Sequence, residues 1–140
     1  MAMPSRRDLA LTDAEYRALA RFRYALRVFL RFSEDAARAA RTTPNQHQLL
    51  LAVRGFPRGE PTISDIAEWL QLRHHSTVEL VDRAVDAGLV ARRTDSSDRR
   101  RQRLNLTNRG EQLLSSLSVA HKEELQRFRH EMAEILRELG

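Results

Sequence analysis

Apolar residues recur at helical spacing over most of this chain, and a side chain able to accept hydrogen bonds stands before four of the runs. Such acceptors satisfy the N–H groups that a helix start leaves unpaired. Thr12 and Glu15 have the capping-box spacing, and Thr43 and Gln46 repeat it with Pro44 at the first helical position, where a missing N–H costs nothing. Thr62 with Asp65 is a looser version, and Thr107 precedes a fourth run.

After Thr12, the apolar positions Tyr16, Leu19, Ala20, Phe22, Leu26, Val28, Phe29, Leu30 and Phe32 lead into an alanine-rich stretch from Ala36 to Ala40. They predict a helix of roughly 25 to 30 residues, about 40 Å long. Its apolar band is unusually wide, so the helix must cover its own domain and something else, for which a second copy of the chain is the simplest candidate. A shorter helix from Pro44 turns Leu49, Leu50, Ala52 and Val53 inward and stops at Gly55-Phe56-Pro57-Arg58-Gly59. The next runs from Thr62 to about Leu70, with the Trp69 ring expected to be buried beneath the helix that follows. Past Gln71 and Leu72, a further helix carries Val78, Leu80, Val81, Ala84 and Val85 to Gly88, where glycine can take the left-handed stop conformation. Two short helices around a tight turn make a helix-turn-helix.

Beyond Gly88 the pattern changes. Leu89-Val90-Ala91-Arg92-Arg93 has strand character, Thr94-Asp95-Ser96-Ser97-Asp98 is turn-rich, and Arg103-Leu104-Asn105-Leu106 alternates polar with apolar. The pair predicts a β-hairpin. From Thr107 the spacing is helical again, through Leu113, Leu114 and Leu117 and on to Leu125, Phe128, Met132, Ile135, Leu136 and Leu139. The expected fold is mainly α with a small β-hairpin wing. It places a winged helix-turn-helix at 43–107 between an N-terminal dimerisation helix in 1–42 and C-terminal helices in 108–140, to which the family resemblance given below also assigns dimerisation. In this arrangement a helix enters the DNA major groove and the hairpin reaches a neighbouring minor groove.

Charge changes the picture by its location. The 140 residues carry a net +5, yet six arginines and two acids between Arg92 and Arg103 give that segment +4, whereas Glu111 to Gly140 sums to −2. An arginine-rich loop by itself is often only a solvated surface. Next to a helix-turn-helix it points to double-stranded DNA as the partner, the alternative being a winged-helix protein-interaction module without sequence-specific DNA binding.

Composition removes other classes. Zero cysteines exclude disulfide scaffolds, thiolate zinc sites and thiol chemistry. No stretch of about 20 apolar residues could span a bilayer, and Met1 to Arg7 is polar with no apolar signal core behind it, so no membrane partner and a cytoplasmic location are expected. A glycine-rich phosphate loop, a Gly-x-Ser-x-Gly nucleophile motif and metal-ligand spacing are all missing, which argues against an enzyme and against any cofactor. His74 and His75 are adjacent, about 100° apart on a helix, and make poor co-ligands. His121 and His130 with Glu124 and Glu131 form a better constellation, but exposure or interface packing is the favoured reading, so no metal is expected.

Phe22 to Leu51, the run Ser76-Thr77-Val78-Glu79-Leu80-Val81-Asp82-Arg83 ending in Gly88-Leu89-Val90, and the hairpin together resemble the MarR family of bacterial winged-helix transcriptional regulators. That family's hairpin pattern is Asp-x-Arg, five residues, then Leu-Thr. Asp98, Arg100, Leu106 and Thr107 meet it without a gap. The resemblance covers about residues 12–138 and implies a homodimer built from the terminal helices, a palindromic operator and, often, derepression by a small, frequently aromatic, anionic effector.

On this reading Arg100 inserts into a minor groove, Asp98 orients it, and Arg99, Arg101 and Arg103 meet phosphates. An intraloop salt bridge between Asp98 and Arg100 is the plainer alternative, and the two coexist. Leu106 belongs to the core and Thr107 to the following helix cap. The recognition helix begins around Arg73 to Ser76, a position where many relatives carry a serine or aspartate cap. Ser76 and Thr77 are candidates for base or phosphate contacts, and Arg73, His74 and His75 for phosphates or guanine edges. Glu79 either accepts from a cytosine amino group or keeps the helix soluble. Phe22, Tyr24, Phe29 and Phe32, with His47 and Gln48, could line an effector pocket, although an aromatic stripe at this spacing is more often core.

Overall fold

The computed structural model describes Met3 and residues 10–140. The signal-core reading of Met1 to Arg7 therefore lies outside the described residues except at Met3. The chain forms α1 (Asp13–Ala39), α2 (Pro44–Gly55), α3 (Ile63–Leu70), α4 (His74–Asp86), β1 (Val90–Thr94), β2 (Gln102–Leu106) and α5 (Asn108–Leu139). The described residues divide into two compact units, one of Glu34–Ala120 and one of residues 10–33 together with His121–Gly140.

The caps read from the sequence are made. Thr12 and Glu15 exchange backbone-to-side-chain hydrogen bonds of 3.1 Å each, and Thr62 and Asp65 form a complete box, with the Asp65 carboxylate accepting the Thr62 N–H at 2.9 Å. At Thr43 only half the box forms. Its hydroxyl accepts the Gln46 N–H, while the Gln46 side-chain oxygen accepts from the Thr42 hydroxyl instead. α4 alone among these helices starts without a side-chain cap, because Arg73 stands in the cap position and has no acceptor to offer.

The larger unit is built around Leu49, Leu50, Val53, Ile66, Leu80, Val81, Ala84, Leu89, Val90, Leu104 and Leu114. α3 ends at Gln71 in the left-handed region (φ 56°), and there its side-chain amide donates to the Glu68 carbonyl at 2.7 Å. Gly88 closes α4 at φ 74°, as its position in the sequence predicts. β1 and β2 pair antiparallel from Val90 opposite Leu106 to Thr94 opposite Gln102. The hairpin is tied to the start of α3, since Leu104 N–H donates to the Pro61 carbonyl at 2.9 Å and Thr62 bridges Arg103. Thr107 then anchors α5, with its N–H donating to Leu89, its hydroxyl donating to Gly88 at 2.6 Å, and the same oxygen accepting from Gly110 N–H. α5 crosses so close to Leu89 that a Cβ on Gly110 would collide with its carbonyl oxygen.

In the smaller unit, the Arg21 guanidinium reaches Glu138 at 2.6 Å and Glu134 at 3.4 Å, and the Phe29 and Phe128 rings lie 5.4 Å apart. His121 is half-buried. Its ring pairs with the Ser33 hydroxyl at 2.8 Å and stands edge-on to Phe29 and Phe32.

Two expectations, the plural C-terminal helices and the buried Trp69 ring, need correcting. The C-terminal helices are one continuous helix of 32 residues. The two compact units divide in sequence at Ser33/Glu34 and Ala120/His121, and Ala37 and Leu114 are buried residues of the larger one. Trp69 is 54% exposed rather than buried beneath α4, its ring set edge-on against the buried Phe56 at 5.8 Å. Of the aromatic candidates, Phe29 and Phe32 pack within the smaller unit and Tyr24 is exposed there, and Gln48 is an exposed residue of the larger unit.

Candidate nucleic-acid interface

Winding into α4 dictates which of its side chains are available. The helix buries Thr77, Leu80, Val81 and Ala84 and leaves Arg73, His74, His75 and Glu79 exposed, with Ser76 half-buried. Thr77, expected among the base or phosphate contacts, faces inward. It is fully buried, and its hydroxyl donates to the Arg73 carbonyl at 2.9 Å, four residues back. A threonine one turn into a helix has two ways to satisfy its hydroxyl, and burial forces the backbone carbonyl.

The six arginines that look uniform in the sequence separate into two sets. Arg92 is paired with Asp82 of α4, Arg93 with Glu60 at 3.0 Å, and Arg103 with Asp95 at 2.9 Å. Arg103, expected to meet a phosphate, also donates to the Glu60 carbonyl at 3.0 Å and is 28% exposed at the hairpin base. Arg99, Arg100 and Arg101 occupy the tip. Arg100 is 94% exposed, with its Nε 3.6 Å from Asp98. Asp98 accepts the Arg100 N–H at 3.0 Å and lies 4.0 Å from the Arg101 Nε, so this one carboxylate both shapes the turn and stands between two guanidinium groups.

Sequence reasoning missed Asp95. Its carboxylate is 8% exposed and accepts the Ser97 N–H at 2.9 Å, the Ser97 hydroxyl at 2.8 Å and the Arg103 Nε at 3.0 Å. The Ser97 N–H and hydroxyl, with Arg103 added, hold its pKa down at about 2 against an ordinary 3.8, although loss of solvent works the other way. The available signal was the Asp-x-Ser spacing at the start of a turn, which suits a carboxylate bonding the backbone two residues on.

The tip and the α4 start meet. Arg100, Arg101 and Gln102 of the wing, His74 of α4, and Thr62 to Asp65 at the α3 start line one cleft of about 290 Å³. Two guanidinium groups and an imidazole face one carboxylate there, which suits an anion larger than the cleft itself, such as a polyanion lying across it. On the other flank of α4, Ser76, Glu79 and Arg83 line a groove of about 410 Å³ with Thr43, Asn45 and Gln46 of α2. No group of three or more potential metal ligands exists among the described residues. His130 lies 3.7 Å from Glu134, and His121 is turned to Ser33.

A helix-turn-helix followed by a hairpin braced to its first helix defines a winged helix-turn-helix. The model of the MarR family matches residues 42–101, the span from the start of α2 to the wing tip. The resemblance read from the sequence thus holds, and the fold over most of the chain is that of these regulators. AbsC, a MarR family transcriptional regulator from Streptomyces coelicolor, is 23% identical with a TM-score of 0.74, covering 93% of this chain and 89% of its own. A MarR family protein from Bacillus stearothermophilus is 23% identical with a TM-score of 0.72, over 84% and 81%. S. aureus MepR, solved as a DNA complex, is 21% identical with a TM-score of 0.63, over 85% and 98%. No curated protein matches the chain.

Proposed function

We propose that this chain is a homodimeric DNA-binding transcriptional regulator that acts as a repressor in the cytoplasm. Its α4 enters the major groove of double-stranded DNA, and the wing tip enters the adjacent minor groove. The observation that carries the reading is the convergence of Arg100, Arg101 and His74 on one cleft, with the tip arginines exposed while the other hairpin arginines are neutralised by the domain's own acids. Similarity to MepR, which was solved with DNA, supports it. No helix among the described residues is long and apolar enough to cross a membrane.

The roles follow from exposure. Arg100 is the minor-groove residue and Asp98 positions it. Arg99 and Arg101 neutralise phosphates, Arg73, His74 and His75 meet the backbone at the α4 start, and Ser76 approaches base edges. α4 starts without a side-chain cap, so its first N–H groups are available to a phosphate oxygen. Two copies, joined through α1 and α5, would read a palindrome whose half-sites lie about one helical turn apart. A small, aromatic anionic ligand that changes the spacing of the two reading heads would release the operator.

The test is anisotropy titration against duplexes selected from a random pool. Affinity should fall steeply with salt, and Arg100→Ala should weaken binding by about tenfold or more and reduce the preference for A·T pairs at the outer minor grooves. Salt-insensitive binding, or an Arg100→Ala protein indistinguishable from wild type, would overturn the proposal.

A further inference from the structure

The smaller unit holds a cavity that DNA binding does not use. Between α1 and α5, the rings of Tyr24, Phe29 and Phe128 wall a space of about 160 Å³ whose charged edge is Glu124, Arg127 and Glu131. A cavity of roughly 150 Å³ admits a benzene-sized body. Aromatic faces carry negative potential and attract a cation lying within about 6 Å of a ring centre, without offering it a hydrogen bond. Glu124 supplies the other half of the site. Its side chain is 13% exposed, and among the described residues its one polar partner is the Arg127 guanidinium at 3.7 Å, which is itself 75% exposed. A carboxylate so far removed from water and held by so loose a partner keeps attraction to spare for a second cation. With Glu131 included, two carboxylates stand against one guanidinium at the cavity edge. Tyr24 and Phe29, named from the sequence for an effector pocket, therefore meet carboxylates, which repel the anion that the family resemblance implies.

We propose that this cavity binds a small quaternary ammonium group, its methyl groups against Phe29 and Phe128 and its charge beside Glu124 in place of the Arg127 guanidinium. Ring walls favour a quaternary over a primary ammonium. The methyl surface needs no hydrogen bonds, whereas a primary ammonium brings three donors that the rings cannot satisfy. A metal ion fits poorly, since hard cations take six or more oxygens and no group of three or more potential metal ligands exists among the described residues. The site needs neither α4 nor the wing, so it stands independently of the DNA-binding reading.

The experiment is isothermal titration calorimetry of the full chain with tetramethylammonium chloride at constant ionic strength. Binding should saturate with a Kd below about 1 mM, and tert-butanol, an uncharged body of similar size, should bind at least about tenfold more weakly. Glu124→Gln should weaken the ammonium by about tenfold, whereas Arg127→Ala, which removes the cation competing for the same carboxylate, should tighten it by about threefold. Arg127 is exposed, so its variant keeps the test decisive where Glu124→Gln fails to fold. The absence of saturable heat, as when a second copy fills the cavity, overturns the proposal. So does equal binding of tert-butanol, or an Arg127→Ala protein that binds the ammonium more weakly than wild type.

Discussion

The two units bury their apolar residues to very different extents. In the winged-helix unit Leu49, Leu50, Ile66, Val81, Val90 and Leu104 are at most 2% exposed, and the caps and strand ends around them are satisfied by its own atoms. Among the described residues of the other unit only Ala18, Ala25, Ser33 and Ile135 are buried, while Tyr16, Tyr24, Val28, Leu30, Leu125 and Leu136 stay 44% to 72% exposed. Scattered exposed apolar residues are ordinary, but this many on two helices that form one compact unit are the mark of a surface made to be covered. One unit is stabilised from within; the other, on the dimer reading, is completed by a second copy.

Breaking the self-sufficient unit should have the largest effect. Leu50→Ala leaves a cavity in a filled core and should cost about 2–5 kcal/mol in denaturant unfolding. Gly110→Ala drives a methyl into the Leu89 carbonyl and should cost about 1–3 kcal/mol, because α5 must shift off the hairpin base to make room. A wild-type midpoint for Gly110→Ala would show that this crossing is loose.

In the other unit the same kind of change should act on association. Leu136→Glu puts a charge on a side chain already 62% exposed, so the isolated fold should lose less than about 0.5 kcal/mol while light scattering reports half the mass of wild type. An unchanged mass would remove Leu136 from the covered surface.

Smaller effects sharpen the division among the arginines. Arg93→Ala should weaken DNA binding by less than about twofold, since its charge is already met by Glu60, in contrast to Arg100→Ala. Acid should loosen the wing specifically. The Asp95 carboxylate, held at about 2 rather than 3.8, favours the folded hairpin at neutral pH, and that contribution is lost as pH falls from about 4 to 2. Asp95→Asn should remove this acid transition from amide exchange at the hairpin while leaving α2 and α4 protected.

Much of this architecture is legible in the residues themselves, because helix starts, stops and strand alternation are local. Thr12, Thr43, Thr62, Thr107 and Gly88 each act within four residues of their own position or at an immediate chain reversal, so spacing alone locates them. The Asp98–Arg100 contact is equally local, between residues two apart in the turn.

What spacing cannot supply is which partner a side chain finds across the fold. Thr77 is lost to the core, Arg103 turns inward to Asp95 and Glu60, and Trp69 faces out, since each depends on a segment brought near only when α3, α4 and the hairpin pack together. The sequence by itself determined the elements, their order and the site of the positive charge. Tertiary structure decided which of those charges remain unneutralised, because an arginine's charge is a property of one residue and its neutralisation depends on where an acid arrives from elsewhere in the chain.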